Sequence, residues 1–283
     1  MWNNQIEIIM IELPESATIA RQAAQMLIGR TVTEVYGATH LHKFTFFSGT
    51  PDEYKEMLIG RRVESVIGKG IFVELCFDQE IHLSIFDGIN MRYGKPENTI
   101  PAKYQLLITF DDNSFISFTT SMYGGIYAFR HTLDNKYRTL SLQSISPLSE
   151  AFGEAYFINL IAAEKKDISA KAFLATEQRI PGLGNGVLQD ILFNASIHPK
   201  RKLFSLSETE KADLFHSMKT TLQAMTDGGG RDTETDFLGN RGQYKCSLSK
   251  NTYEYPCPRC SGRIVKEAYL GGSVYYCQDC QKL

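Results

Sequence analysis

The chain has 283 residues, of which 43% are hydrophobic and 22% charged, with a formal net charge of −2; this is the balance of a soluble globular protein with one large domain or two smaller ones. No apolar run reaches the roughly 18 residues that a membrane span needs. The opening Met1 to Ser16 stretch has no basic segment and no small-residue cleavage site, so it does not read as a signal peptide, and a cytoplasmic location is expected.

Residues 1–9 read as an extension ahead of Met10. Glu15 to Ile28 carry apolar residues at helical spacing, and Gly29 stands where a helix-stopping glycine belongs. From Thr31 to Phe129 short runs rich in Val, Ile, Phe and Thr alternate with Gly, Asp and Asn. Asp78-Gln79 and Asp111-Asp112-Asn113 fit hairpin turns, so a β-sandwich or barrel is expected. From Ser149 to Thr226 the periodicity is helical. The stretch Asp227 to Thr235, with three consecutive glycines, breaks it and reads as a mobile loop.

The chain ends in Cys257-Pro-Arg-Cys260, sixteen residues, and Cys277-Gln-Asp-Cys280. Two such pairs make the four-thiolate site that Zn²⁺ prefers, with room between them for one β-hairpin. A unit of about 25 residues buries too little to fold alone, so bound metal is expected to supply its folding free energy. Cys76 and Cys246 are expected to be buried free thiols, as suits a reducing compartment. The tail from Arg241 carries seven basic residues, Arg259 among them, against three acidic ones, and Lys200-Arg201-Lys202 forms a second basic cluster. Local basic patches can bind phosphates although the whole chain is near neutral.

Ile180-Pro-Gly-Leu-Gly-Asn-Gly-Val-Leu-Gln-Asp190 lies between two helical patterns. Its glycines allow close backbone approach, and the following helix offers unpaired N–H groups that suit a phosphate. Gly184 and Asn185 are the candidate contacts; a tight interhelical turn is the plainer alternative.

Pro181-Gly-Leu-Gly-Asn185, Ile191-Leu-Phe193 and Ile197-His-Pro199 together resemble the helix–two-turn–helix of the Fpg/Nei (MutM) family of DNA base-excision glycosylases. Tyr275-Tyr-Cys-Gln-Asp-Cys-Gln-Lys282 resembles that family's zinc-finger ending. Met10-Ile-Glu-Leu-Pro-Glu-Ser16 is similar to its opening signature, and Gly229-Gly-Arg-Asp-Thr-Glu234 to the form in plant and fungal members. The resemblance covers nearly everything from Met10 onward. It implies an α+β fold: an N-terminal helix with a two-layer β-sandwich over 10–131, a linker over 132–148, a helical domain over 149–244 and a zinc hairpin over 245–283. It also implies a monomer that grips damaged double-stranded DNA and flips out a base. A terminal Pro amine attacks the sugar, with an adjacent Glu as proton donor and acceptor.

Carried onto this sequence, the resemblance makes Glu12 the acid/base, with Glu15 and Lys69 as further candidate catalytic residues. Lys69, Met122, Tyr123, Gly184, Asn185, Arg259 and Ser273 are the candidate DNA contacts, and Cys257, Cys260, Cys277 and Cys280 the zinc ligands. Two positions depart from the pattern. Ile11 stands where the nucleophilic Pro belongs, and an internal amide nitrogen has no available lone pair. At the hairpin tip Leu270-Gly-Gly-Ser-Val274 lacks the family's Arg. Two functions follow: a glycosylase, with or without lyase activity, on oxidised or ring-opened bases, or a catalytically silent protein that recognises damaged or distorted DNA.

Overall fold

The computed structural model describes residues 11–86 and 88–283; the extension 1–9 and Met10 of the opening signature lie outside the described residues. Glu12 and Glu15 form a reciprocal capping box, with Pro14 in the first turn, and start helix α1 (Leu13–Leu27). Gly29, at φ +86°, ends it as expected.

The strands follow as β1 (Val32–Gly37), β2 (Thr45–Phe47), β3 (Val63–Lys69), β4 (Phe72–Phe77), β5 (Ile81–Phe86), β6 (Ile89–Gly94), β7 (Leu106–Phe110), β8 (Phe115–Thr120) and β9 (Gly124–Arg130), with helix α2 (Pro51–Leu58) between β2 and β3. They make a four-stranded sheet, β1-β7-β8-β6, and a five-stranded sheet, β2-β9-β5-β4-β3. All pairings are antiparallel except β2 with β9. Gln79 and Asn113 turn the two expected hairpins at positive φ. One core fills the sandwich and takes in α1 through Ile19, Ala23 and Leu27. The α1 backbone lies so close on β3 that a side chain at Gly68 would strike Ser16 and Ala20.

Helix α3 (Lys136–Gln143) lies within the linker stretch. The helical half holds α4 (Glu154–Ala162), α5 (Ala170–Ala175), α6 (Val187–Asn194) and α7 (Glu208–Asp227), around a second core that includes Leu13. The chain closes with the hairpin β10 (Ile264–Tyr269) and β11 (Gly272–Cys277), antiparallel as expected. The α+β architecture read from the sequence is therefore the one observed. No helix among the described residues is long and apolar enough to cross a membrane.

The stretch after α7 is not the free loop its glycines suggest. It crosses from the helical half to the sandwich and buries Phe237 completely in the sandwich core, beside Tyr93 at 5.6 Å between ring centroids. Gln22 of α1 fastens it at both ends of its amide: Nε2 donates to Asp236 Oδ2 at 2.8 Å, and Oε1 accepts from the Phe237 N–H at 3.0 Å. The Tyr93 N–H donates to the Phe237 carbonyl at 2.9 Å. The reading as a mobile loop failed because the ordering contacts are side chains far away in sequence. Phe237→Ala should cost about 3–5 kcal/mol, the usual range for emptying a buried aromatic site, read as a shift in the denaturant midpoint with unchanged slope.

Candidate functional site

Three consecutive residues join the halves. The Ile11 side chain belongs to the sandwich core and that of Leu13 to the helical core. Glu12, between them, is buried at the junction. Its carboxylate accepts from the Gly186 N–H at 2.8 Å and the Val187 N–H at 2.7 Å, one on each oxygen. These are orphan donors at the start of α6. The α6 N-terminus, read from the sequence as a phosphate cradle, is therefore taken by the protein's own carboxylate. The glycines serve that approach: a side chain at Gly184 would strike Glu12, and one at Gly186 would strike both Arg231 and Glu12.

Arg231, on the segment that carries Phe237, completes the cluster. It is 2% exposed. Its Nε and Nη2 each donate to a Glu15 oxygen at 2.9 Å, and its backbone N–H reaches Glu15 Oε1 at 3.2 Å. Nη1 lies 3.6 Å from Glu12 Oε2, and Nη2 lies 4.0 Å from Glu234 Oε1. One guanidinium thus faces three buried carboxylates. Burial pushes the Glu12 carboxyl above the usual carboxylate range; Arg231 opposes that shift and Glu15 adds to it. Burial alone would weaken the Arg231 proton, but Glu12, Glu15 and Glu234 outweigh it and raise its pKa well above normal.

Glu12 also lines a cavity of about 510 Å³ between the halves, with Ile11, Gly184 and Asn185, a volume in the range of small-molecule sites. Asn185 Nδ2 donates to the Ser273 carbonyl at 2.9 Å, and the same carbonyl accepts from Gln189 Nε2 at 3.1 Å. Asn185 Oδ1 is buried and has no hydrogen-bond partner among the described residues. The hairpin tip, Leu270 to Gly272, forms part of the cavity rim. Lys171 of α5 lines the cavity too. Its Nζ donates to the Tyr269 carbonyl and sits 5.8 Å from the Tyr269 ring centroid. It has no carboxylate at ion-pair distance among the described residues, and burial lowers its pKa.

The remaining candidates are spread out. Tyr123, in the turn between β8 and β9, lines the cavity, and Met122 beside it is exposed. Lys69 lies outside the cavity, where its Nζ donates to the Leu142 carbonyl at the end of α3 at 2.8 Å. Arg259 lies against α6: Nη1 donates to Ser196 Oγ at 2.7 Å, and the guanidinium stands 4.4 Å from the Phe193 ring centroid.

The four C-terminal sulfurs converge within 4.8 Å of one another, with Sγ–Sγ distances of 3.9 Å (Cys257 to Cys280) and 3.4 Å (Cys260 to Cys277). Thiolates around a tetrahedral ion with bonds of about 2.3 Å stand about 3.8 Å apart, so the cluster fits a metal. The Arg259 and Gly262 N–H groups donate to Cys257 and Cys260 sulfur, both at 3.4 Å, the outer-shell bonds that steady thiolate ligands. Glu74, Cys76 and His82 also converge, but Arg138 already holds both Glu74 oxygens at 2.7 and 2.9 Å. That guanidinium fills the place a cation would take. Burial would raise the Glu74 pKa; Arg138 and Ser84 outweigh it and lower it.

Sequence reasoning missed Arg231 and Lys171 as members of the site. Arg231 meets Glu15 across 216 residues of chain, in a stretch with no periodicity. Lys171 looks like any solvent-facing lysine on a short helix.

Residues 144–236 match the family model of the formamidopyrimidine-DNA glycosylase H2TH domain. The chain is 26% identical over 284 residues to formamidopyrimidine-DNA glycosylase of Cytobacillus firmus, covering 96% of this chain and all of that one. It is 27% identical over 285 residues to the enzyme of Heliobacterium modesticaldum, with 96% and 100% covered. Among solved structures, Lactococcus lactis Fpg in complex with DNA containing an abasic site superposes with a TM-score of 0.81 at 22% identity, over 96% of this chain and all of that one. MutM from Thermus thermophilus gives 0.77 at 22%, over 95% and 98%.

Arg231→Met should destabilise the fold by about 3–5 kcal/mol, because it strands buried carboxylates. The Glu12 carboxyl, already raised by burial, then loses the charge that opposes that shift, so the folded state holds more protons than the unfolded one and stability falls as pH rises through the interval between their pKa values. The deficit against wild type should be larger at pH ~8 than at pH ~5, measured by denaturant unfolding at both.

Proposed function

This chain is a member of the Fpg/Nei family, and from that premise we propose that it binds damaged DNA in the cleft and excises an oxidised or ring-opened base. The observation that carries the reading is the placement of Glu12: a buried carboxyl, oriented by two backbone N–H groups, on the wall of a cavity between the two halves. A carboxyl whose pKa is raised by burial holds a proton more readily than an exposed one, which suits it to take and return one in general acid–base catalysis. In this reading Glu12 handles the proton at the sugar or at an attacking water. Asn185 and Lys171 face the phosphate or sugar edge, and Tyr123 enters the gap left by the extruded base. Lys69 leaves the Leu142 carbonyl for a backbone phosphate. The family's lyase step needs an amine, and Ile11 supplies one only as the first residue of a processed chain.

The four cysteines hold one Zn²⁺ in a structural role, with no position left open for chemistry. A strong chelator should release one equivalent of zinc per chain, read with a chromogenic indicator. It should also lower the unfolding temperature, because metal binding and folding of the hairpin are coupled.

The catalytically silent reading draws on one observation: each Glu12 oxygen is already committed to a backbone donor. Base release from oxidised-base duplexes separates the two. Glu12→Gln should slow release by about 10²-fold or more, the usual span of general acid–base catalysis, with DNA binding retained. Borohydride trapping on abasic duplex, run on the full chain and on one beginning at Ile11, reports the amine step. No release and no adduct from either chain, with binding intact, would leave the silent protein as the answer.

A further inference from the structure

Cutting a strand at an abasic sugar through an imine needs an amine with a free electron pair. Ile11 does not supply one in the full chain. It is an internal residue whose side chain is 1% exposed in the sandwich core, and peptide resonance takes up the electron pair of its nitrogen. The amine has to come from a side chain. Lys69 is in the wrong place, outside the cavity on the Leu142 carbonyl.

Among the described residues that line the cavity, Lys171 is the only lysine or arginine, and no Cys, His or Ser stands beside it. Its backbone is fixed: the Lys171 N–H donates to the Pro199 carbonyl at 3.0 Å. Its side chain is held by one bond, from Nζ to the Tyr269 carbonyl, on a flexible four-carbon stem. The residue is 2% exposed, and no acid balances it. Glu12 is committed to the Gly186 and Val187 N–H groups, and Glu177 lies 3.1 Å from Arg179. Lys200, 5.3 Å from the same Tyr269 ring, has Glu267 as its partner. A buried ammonium without an acid is a costly way to fasten a hairpin, and Asn185 and Gln189 fasten the same hairpin with neutral amides. Burial lowers the Lys171 pKa, so a larger share of the amine carries a free electron pair, the form that attacks carbonyl carbon.

We propose that Lys171 is the nucleophile of a strand-cutting step in the full chain, forming an imine with the sugar aldehyde of an abasic site. The proposal rests on the reading of the cavity as the place where the damaged nucleotide lies, and adds the group that acts once the base has gone. Nζ leaves the Tyr269 carbonyl and adds to C1′ of the ring-opened aldehyde. The resulting carbinolamine loses water to give a protonated imine. The Glu12 carboxylate, on the wall of the same cavity, takes a proton from C2′. The C2′–H electrons form a C2′–C3′ double bond as the C3′–O bond breaks, and the phosphate leaves with that electron pair. Water then hydrolyses the imine and returns Lys171 as the amine. No oxidant or reductant is needed.

The test incubates the full chain with a duplex carrying one abasic site, with borohydride present to reduce the imine to a stable amine. The adduct is digested and its site read by mass spectrometry, while anisotropy reports binding of the same duplex. The adduct should map to Lys171. Lys171→Arg keeps a cation and a donor for the Tyr269 carbonyl, but a guanidinium does not attack carbon; trapping and strand cutting should both be lost, with thermal unfolding near that of wild type. Should that variant fail to fold, the mapped site in the wild type decides alone. An adduct on the N-terminal residue or on Lys69 overturns the proposal, as does a folded Lys171→Arg chain that is still trapped. Binding of the duplex without any adduct also overturns it and leaves the DNA-site reading standing. No binding of the abasic duplex removes the DNA-site reading itself, and this proposal with it.

Discussion

Everything about the cleft depends on one buried electrostatic arrangement, a single guanidinium among three carboxylates. Arg231 comes from the segment after α7, Glu12 and Glu15 from the start of α1, and the amides that steady Glu12 from the start of α6. The sandwich and the helical half therefore share a cluster that neither could satisfy alone. Taking charges out of water costs several kcal/mol per ion, which only good geometry and added hydrogen bonds recover. The bidentate Arg231–Glu15 pair and the two N–H donors to Glu12 provide that recovery. The same arrangement explains why the sequence between α5 and α6 is so rich in glycine. The helix start must come close enough to be capped by a carboxylate from another part of the chain, with a guanidinium behind it.

The parts of the fold legible in the sequence are those decided within a few residues. Gly29 ends α1, Asn113 turns a hairpin, and the paired cysteines announce a metal site, because in each case the cause sits beside the effect. Helix α2 lies inside the stretch read as all strand and was missed: Thr50 and Glu53 form a capping box around Pro51, a local signal hidden by the strand-rich surroundings. The parts that were not legible depend on distant partners. Strand β2 is three residues long and pairs with residues 124–126, so nothing near it in sequence marks it as a strand. Phe237 follows a run of glycines and aspartates, and its burial is decided by Tyr93 and Gln22.

The site divides in the same way. Glu12, Asn185 and the four cysteines come from motif order. Their surroundings come only from three dimensions, and there the motif reading changes meaning. The α6 N-terminus is an anion site, as its sequence suggests, but the anion is Glu12. The uncharged hairpin tip is held through the Ser273 carbonyl by Asn185 and Gln189, and a cation stands at the same edge as Lys171, bonded to the Tyr269 carbonyl.

Three sets of contacts frame the cavity, and they differ in strength for a physical reason. The Arg231 cluster is nearly free of water, so each charge-assisted bond there counts for more than a neutral one. The linker is held by Arg138 on Glu74, a bidentate pair with the carboxylate fully buried and the guanidinium partly wet. Lys69 adds a bond to the last turn of α3, where a cation also suits the helix dipole. The hairpin is held by amide bonds between Asn185, Gln189 and the β11 backbone, by the Lys171 contact, by the Tyr269 hydroxyl on Ser169 and by the half-exposed Lys200–Glu267 ion pair; the neutral bonds among these are worth about 0.5–1.5 kcal/mol each. The metal cluster makes the hairpin a unit in itself; it does not fasten that unit to Asn185. The wall bearing Leu270 to Gly272 is thus held largely by neutral bonds and one half-exposed ion pair, while the carboxylate it faces is fixed by buried, charge-assisted contacts.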